Sequence, residues 1–300
     1  MRDRPTDRRT FLKAGIALGV TSLAGCSRLD GDATADGGGR PATTAEPGDG
    51  GTEPSPGQPA YAVETVVTGL SNPWALSFVS GGSELLVTER PGRLRLLDVA
   101  DGTAATVSGT PDVFSAGQGG LLDVTVAPDA PTPWVYLTYA ATNASGASST
   151  HLARARLDRD GPRLVAFEVL HVADPFVDSN AHYGSRVVIG PDDRLYVTVG
   201  DRQFKNFGPD HVAQDPTTEL GTTLRLERDG SVPDDNPFVD DPDARDTIFT
   251  YGHRNAQAMA VHPDTGAIWQ AEHGERDGDE INVLEAGENY GWPVPTYACQ

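Results

Sequence analysis

The amino-acid sequence predicts an all-β protein that is built from a repeated hairpin unit. From Tyr61 onward, an apolar strand, a turn rich in Pro, Gly and Asp, and a second strand of β-branched and aromatic residues recur. Helical periodicity is nearly absent over the same stretch. The four copies begin at Trp74, Leu121, Ser185 and Ala258 and read WALSFVSGGSELLVTER, LLDVTVAPDAPTPWVYLTYA, SRVVIGPDDRLYVTVGD and AMAVHPDTGAIWQAEHG.

The spacing of these copies favours one all-β architecture over another. The copies recur at intervals of roughly fifty to seventy residues, which is too long for the successive strands of a β-sandwich. Units of this length, stacked radially, form a β-propeller whose blades are four-stranded antiparallel sheets. Four copies predict about four blades, so we expect either a small propeller or a chain that lacks further blades.

The N-terminus carries the features of an export signal. Arg8 and Arg9 precede Phe11, and a short apolar run then leads to Cys26, a pattern that resembles a twin-arginine signal ending in a lipobox. The run is too short to cross about 30 Å of hydrocarbon as a transmembrane helix. We therefore predict a signal peptide over residues 1–25 and a lipid on Cys26. The mature protein would be a lipoprotein on the extracellular face of the cell membrane, bound to it only through this anchor.

The segment between the signal and the repeats has a different composition. Residues 26–60 consist mainly of Gly, Pro, Thr, Asp and Glu, with almost no large apolar side chain to bury. We predict a disordered tether here and a propeller domain over residues 61–300. The second cysteine is Cys299, so a lipid on Cys26 would leave the mature chain without an intrachain disulfide.

The charge balance limits the possible partners. The chain has 43 acidic and 23 basic side chains and a formal net charge of −20. Such a surface repels nucleic acid and anionic membranes, so neither is an expected partner. Only two of the basic residues are lysines, and a surface rich in Asp and poor in Lys is typical of proteins from halophilic sources.

Polar residues that suit chemistry lie in loops of different repeats. They fall in GQGGLLDV with Gln118, NAHYGSR with His182, YGHRNAQ with Arg254 and Asn255, and EHGERDGDEIN followed by ENYGWP. Taken singly, each has a structural alternative: a turn residue, a hydrogen-bonded histidine, an ion pair or a solvated acidic loop. The acidic loop also offers the carboxylate and carbonyl oxygens that Ca²⁺ binds, although it lacks EF-hand spacing.

Taken in order, with GTTLRLERDGSVPDDNPF between them, these stretches resemble one family over residues 63–293. It is the soluble PQQ-dependent sugar dehydrogenases, the glucose/sorbosone and aldose sugar dehydrogenase group. The resemblance implies a six-bladed propeller, of which about four blades are present here and the C-terminal part is missing. It also implies PQQ and Ca²⁺ as cofactors, oxidation of a small aldose at C1 to a lactone, and an external electron acceptor.

The resemblance further implies roles for the residues that would meet sugar and quinone. His182 matches the general base that takes the proton of the anomeric hydroxyl while hydride passes from C1 to PQQ. Gln118, Arg254 and Asn255 match positions that hold the quinone, where guanidinium and amide groups suit its carboxylates.

Calcium sites are implied in the acidic loop. The backbone carbonyls of Gly274 and Glu275 match ligands of the Ca²⁺ that polarises the quinone. Asp279, Glu280 and Tyr290 match a neighbouring structural calcium site. Many relatives have Gly-Pro where this chain has Gly274 and Glu275, so the fixed φ of proline is absent from this loop.

Two other functions are compatible with the same sequence. One is a non-catalytic propeller module that has kept the fold and the calcium loop. The other is a propeller hydrolase of the lactonase type, in which calcium itself holds substrate and water. Quinone absorbance after reconstitution separates the dehydrogenase from both.

Overall fold

The computed structural model describes residues 62–79, 81–128 and 133–294. The predicted signal peptide, the predicted lipidation site Cys26, the whole of the predicted tether and Cys299 lie outside the described residues. Within these ranges, no helix combines the length and the apolar character needed to cross a membrane.

The described chain folds into four antiparallel sheets, and the single helical element is a 3₁₀ turn at Val212–Gln214. In each sheet the strands are paired in chain order. Blade 1 contains β1 (Pro73–Phe78), β2 (Glu84–Glu89), β3 (Arg93–Asp98) and β4 (Ala104–Val107). Blade 2 contains β5 (Leu121–Val126), β6 (Trp134–Thr142), β7 (Ser148–Asp158) and β8 (Arg163–Val172). Blade 3 contains β9 (Val187–Ile189), β10 (Leu195–Val199), β11 (Thr222–Leu226) and β12 (Ile248–Tyr251). Blade 4 contains β13 (Ala256–Val261), β14 (Ile268–Glu272) and β15 (Glu280–Val283).

Successive blades meet through their first strands. Strand β5 contacts β1 on one side and β9 on the other, and β9 in turn contacts β13. The first strand of each sheet is therefore the innermost one, as in a propeller. The all-β propeller prediction is confirmed, and a β-sandwich is excluded because four sheets follow one another around a common centre.

The hydrophobic core lies between the blades. Leu86 and Leu137 pack between blades 1 and 2, Leu195 between blades 2 and 3, and Ile268 between blades 3 and 4. A strand with a neighbouring blade on each face is buried on both sides, and every residue of β10 is buried. This double burial explains why second strands read as continuous apolar runs rather than as alternating patterns.

Three equivalent threonines tie neighbouring blades together. Each lies on the second strand of its blade, accepts a hydrogen bond from a backbone N–H of its own blade, and donates its hydroxyl to a carbonyl of the next blade. Thr88 accepts from Ala75 N and donates to Leu122 O. Thr138 accepts from Asp123 N and donates to Ser185 O. Thr198 accepts from Arg186 N and donates to Ala256 O. This contact explains why the second strands of blades 1, 2 and 3 each carry a buried threonine.

One arginine joins all four innermost strands. Arg186, just before β9, forms a 2.8 Å ion pair with the buried Asp123 of β5. Its guanidinium donates to Gln257 O on β13 at 3.0 and 2.8 Å and lies 4.4 Å from the ring centroid of Trp74 on β1. The channel side of the four blades is thus crosslinked by polar contacts as well as by apolar packing.

Candidate active site

The candidate residues meet because of the geometry of antiparallel hairpins. An innermost strand begins at the same end of the blade at which the second strand finishes. Gln118, His182 and Arg254 precede β5, β9 and β13, respectively, while Asp201 follows β10. Loops from blades 2, 3 and 4 therefore meet at one end of the propeller, although they are far apart in the sequence.

His182 and Asp201 form a buried pair at the centre of this site. His182 Nδ1 lies 2.6 Å from Asp201 Oδ1, and their side chains are 4% and 1% exposed. The same carboxylate accepts hydrogen bonds from Gln203 N and from Trp292 Nε1, both at 2.9 Å. An ionised carboxylate only accepts, so we assign the imidazole proton to Nδ1. Nε2 is then left as the basic nitrogen of His182.

The backbone of His182 is held in an unusual conformation. Its φ is +47°, in the left-handed region that a non-glycine residue rarely adopts. The amide N–H of His182 donates to Gln118 Oε1 at 2.8 Å, and Gly184 N donates to Asn255 Oδ1 at 3.1 Å. A Cβ on Gly200 would lie 2.2 Å from His182 O, so the close approach of the two backbones needs glycine. Strain that neighbouring contacts fix in this way is typical of functional sites.

Arg254 presents a cation next to this pair. Its NH1 donates to His273 O at 3.1 Å and its NH2 to Glu275 Oε2 at 2.6 Å. The guanidinium carbon lies 5.4 Å from the centroid of Trp292, whose indole N–H binds Asp201. Arg254 Nε is buried and has no hydrogen-bond partner among the described residues. An incompletely paired guanidinium beside the buried pair of His182 and Asp201 suits an anionic ligand such as a quinone carboxylate.

The five residues of the predicted calcium sites have different surroundings. Asp279 Oδ1 accepts from Gly274 N at 2.9 Å, whereas the Glu275 carboxylate pairs with Arg254 and Lys205.

Tyr290 stacks on His253, and its hydroxyl donates to Val283 O at 2.7 Å. Glu280 lies half-buried at the start of β15. The described residues contain no group of three or more His, Cys, Asp or Glu side chains arranged for a metal ion.

Glu280 lies close to a second acidic side chain, Glu272. Burial, together with the negative charge of Glu272, raises the pKa of Glu280 against the opposing hydrogen bond from Asn282. Glu272 and Glu280 share that amide group, with Asn282 Nδ2 at 3.1 and 3.4 Å from their oxygens. A divalent cation would relieve the repulsion of two neighbouring carboxylates, and oxygen donors of this kind are those that Ca²⁺ prefers.

Sequence reasoning missed three residues that organise the site: Asp201, Glu272 and Trp292. Glu272 is buried and accepts from His253 Nδ1 at 2.9 Å and from Arg254 N at 2.6 Å. Both acids lie at or just after the end of a second strand, and Glu89 is a buried acid in the same place in blade 1. A recurrent acid at that position was the signal that could have identified them.

Comparison with known proteins identifies a family and several relatives of this chain. The family described as Glucose / Sorbosone dehydrogenase matches residues 70–300. Aldose sugar dehydrogenase YliI of Escherichia coli K12 is 39% identical over 236 residues, covering 78% of this chain and 62% of that protein. Quinoprotein glucose dehydrogenase B of Acinetobacter calcoaceticus is 32% identical over 254 residues, covering 77% and 52%. The chain therefore spans less than two thirds of the length of these curated relatives.

A solved structure agrees in fold as well as in sequence. The PQQ-bound form of aldose sugar dehydrogenase from Streptomyces coelicolor superposes with a TM-score of 0.67 at 32% identity, covering 78% of this chain and 66% of that chain. The match over residues 70–300 includes every loop that contributes to the His182 site. The order of the motifs, the propeller and these relatives together show that the chain belongs to the soluble PQQ-dependent glucose/sorbosone dehydrogenase family.

Proposed function

We propose that the protein oxidises an aldose at C1 to a lactone, using PQQ and Ca²⁺ and passing electrons to an external acceptor. The observation that carries this proposal is the buried pair of His182 and Asp201, which lies beside the guanidinium of Arg254. A fixed base next to an anion-binding cation is what proton abstraction near a bound carboxylated quinone requires.

His182 would act through Nε2. Asp201 holds the Nδ1 proton, so the ring offers Nε2 to the anomeric hydroxyl, and the carboxylate stabilises the imidazolium that forms when the proton arrives. PQQ, when bound, supplies the acceptor for the hydride that leaves C1. As O–H and C1–H are lost, C1 becomes the lactone carbonyl.

Other residues would position the cofactors. Arg254 would pair with a carboxylate of PQQ, and the amides of Gln118 and Asn255 would border the quinone while fixing the loop of His182. The carbonyls of Gly274 and Glu275 would bind one calcium ion. A second calcium ion would bind near Asp279, Glu280 and Tyr290, a proposal that the raised pKa of Glu280 supports.

We also propose export by the twin-arginine route and anchoring through a lipid on Cys26, with residues 26–60 as the tether. The sequence around Arg8, Arg9 and Cys26 supports this placement. Replacement of Arg8 and Arg9 by lysine should retain the protein inside the cell. Cys26→Ser should move it from the membrane fraction to the soluble fraction, and an unchanged distribution would refute the anchor.

The activity is tested by reconstitution. Purified protein is incubated with PQQ and CaCl₂, and aldose is added while the quinone absorbance and the lactone are followed. We expect quinone reduction that depends on both PQQ and aldose. Bound PQQ that no aldose reduces would favour the non-catalytic module, and lactone hydrolysis without PQQ would favour the hydrolase.

A further inference from the structure

The carboxylate of Glu275 bridges two cations at the edge of the site. Its Oε2 lies 2.6 Å from Arg254 NH2, and its Oε1 lies 2.6 Å from Lys205 Nζ. The exposed fraction of the side chains rises from 8% for Arg254 to 24% for Glu275 and 50% for Lys205. The three charges therefore form a row that runs from the buried site to solvent.

Glu275 occupies the position that an anionic ligand would need. In the described part of the chain, it is the carboxylate that forms an ion pair with the Arg254 side chain. A ligand carboxylate that binds the same guanidinium NH2 would lie within a few ångströms of Glu275, where two anions repel strongly at the low dielectric of a partly buried site. The two carboxylates therefore compete for Arg254.

Lys205 provides a second partner for the displaced side chain. Each oxygen of Glu275 binds a different cation, so loss of the Arg254 contact leaves the Lys205 contact in place. Lys205 Nζ also lies 5.7 Å from the ring centroid of Phe207, which packs against Trp292 at 5.8 Å. Lys205 and Arg254 therefore contact the same aromatic pair, Phe207 and Trp292, and Lys205 is the more exposed of the two cations.

Given the proposed function, we propose that Glu275 is an internal counter-ion that occupies Arg254 until a carboxylated cofactor displaces it, and that Lys205 retains the displaced carboxylate. The apo protein thereby keeps an ion-pair partner for the Arg254 charge in a partly buried site. Glu275 lowers the affinity for the cofactor because it competes with the cofactor carboxylate for Arg254. Lys205 limits this loss of affinity because it stabilises the displaced Glu275 carboxylate. Glu275 is accordingly a determinant of cofactor affinity through its side chain, apart from any role of its backbone carbonyl.

The test measures the PQQ dissociation constant by quenching of tryptophan fluorescence, in excess Ca²⁺, without any activity assay. Glu275→Gln keeps the size of the side chain and the backbone carbonyl but removes the charge. We expect about tenfold tighter PQQ binding, which corresponds to about 1.4 kcal/mol. Asp264→Asn, in the exposed turn between β13 and β14, is the control for the change in net charge and should shift affinity far less.

Lys205→Gln tests whether Lys205 affects PQQ affinity through its ion pair with Glu275 or only through its charge. We expect several-fold weaker PQQ binding in the wild-type background and no such loss in the Glu275→Gln background, because Lys205 acts through Glu275. The trimethyl ester of PQQ, which has no free carboxylates, should bind the wild type and Glu275→Gln with equal affinity.

The outcomes are distinguishable. If the wild type binds PQQ and Glu275→Gln binds no more tightly than Asp264→Asn, the counter-ion role is wrong while the proposed function stands. If neither the wild type nor Glu275→Gln binds PQQ, the proposed function fails and the counter-ion role with it. PQQ binding that is detected in Glu275→Gln but not in the wild type would support the counter-ion role, because Glu275 would then outcompete the PQQ carboxylate for Arg254.

Discussion

Two loops at the same end of the propeller hold their polar residues in different ways. The pair of His182 and Asp201 is almost fully buried, and the carboxylate accepts its other hydrogen bonds from a backbone amide and an indole N–H. The acidic loop at residues 273–280 is more exposed, and Glu275 is held by two cations that could each take another anion. Buried hydrogen bonds thus fix the pair of His182 and Asp201, whereas partly exposed ion pairs hold Glu275.

The largest effect should come from the carboxylate of the buried pair. Asp201→Asn removes the charge and replaces one acceptor oxygen with an NH₂ donor, so the imidazole can carry its proton on Nε2 and present no basic nitrogen to the sugar. We expect kcat to fall by about 10²- to 10⁴-fold with PQQ binding nearly retained. Steady-state kinetics and a PQQ titration measure both quantities. Asp210→Asn, an exposed acid in the following loop, is the matched control, and equal kcat values for the two variants would contradict the positioning role.

The contribution of the interblade contacts to stability is tested at Thr138. Its hydroxyl donates to Ser185 O at 2.5 Å, three residues after His182. Thr138→Val keeps the shape but leaves the Ser185 carbonyl and the Asp123 amide without this partner. We expect the free energy of unfolding to fall by about 1–3 kcal/mol in urea denaturation. Thr142→Val, at the exposed end of the same strand, should change stability little; a similar loss there would argue against the interblade contact.

Acid stability separates the buried acid of blade 4 from its exposed neighbours. Burial opposes ionisation of Glu272, but the charge and hydrogen bond of His253 and the Arg254 amide outweigh it, so the pKa of Glu272 lies below its ordinary value of 4.5. A lowered pKa contributes stability above pH 4.5, and that contribution is lost as the pH falls through the lower folded value.

Wild type should therefore exceed Glu272→Gln in unfolding free energy near neutral pH, and the difference should shrink below pH 4.5. Comparing the two proteins across pH cancels the other carboxyl groups, including Asp123, whose pKa burial raises to about 6. A difference that stays constant from neutral pH into the acid range would show that Glu272 stabilises the fold without its charge.

The smallest effect is expected in the exposed part of the acidic loop. Asp279 accepts a hydrogen bond from Gly274 N but is largely exposed, so Asp279→Asn should leave the melting temperature in chelator unchanged. Because a ligand of the folded state raises stability in proportion to RT ln(1 + [L]/Kd), Asp279→Asn should reduce the rise in melting temperature on adding Ca²⁺. Equal rises in both proteins at constant ionic strength would remove Asp279 from the calcium site.

The sequence predicted the blades well because each hairpin carries its own local signal. The four repeated stretches correspond to the first two strands of the four blades, and the repeated threonine proved to be an interblade contact. Gln118, His182, Arg254 and Asn255 also lie in the converging loops that a propeller predicts.

Contacts between loops could not be predicted in the same way. Asp201 reaches His182 across 19 positions, and Trp292 reaches Asp201 across 91, so both contacts depend on how the blades are packed. Glu275 was predicted as a carbonyl ligand for calcium, and its side-chain contacts with Arg254 and Lys205 depend on loops of two blades. No local pattern in the sequence encodes these distances.

The proposed role of His182 as the base is decided by the rate at which aldose reduces bound PQQ in His182→Gln. The measurement uses protein reconstituted with PQQ and Ca²⁺ and matched in bound quinone to the wild type. We expect a rate that is lower than the wild-type rate by about 10²- to 10⁴-fold at equal quinone occupancy. A wild-type rate in His182→Gln would contradict it, and the buried pair with Asp201 would then serve the fold rather than the reaction.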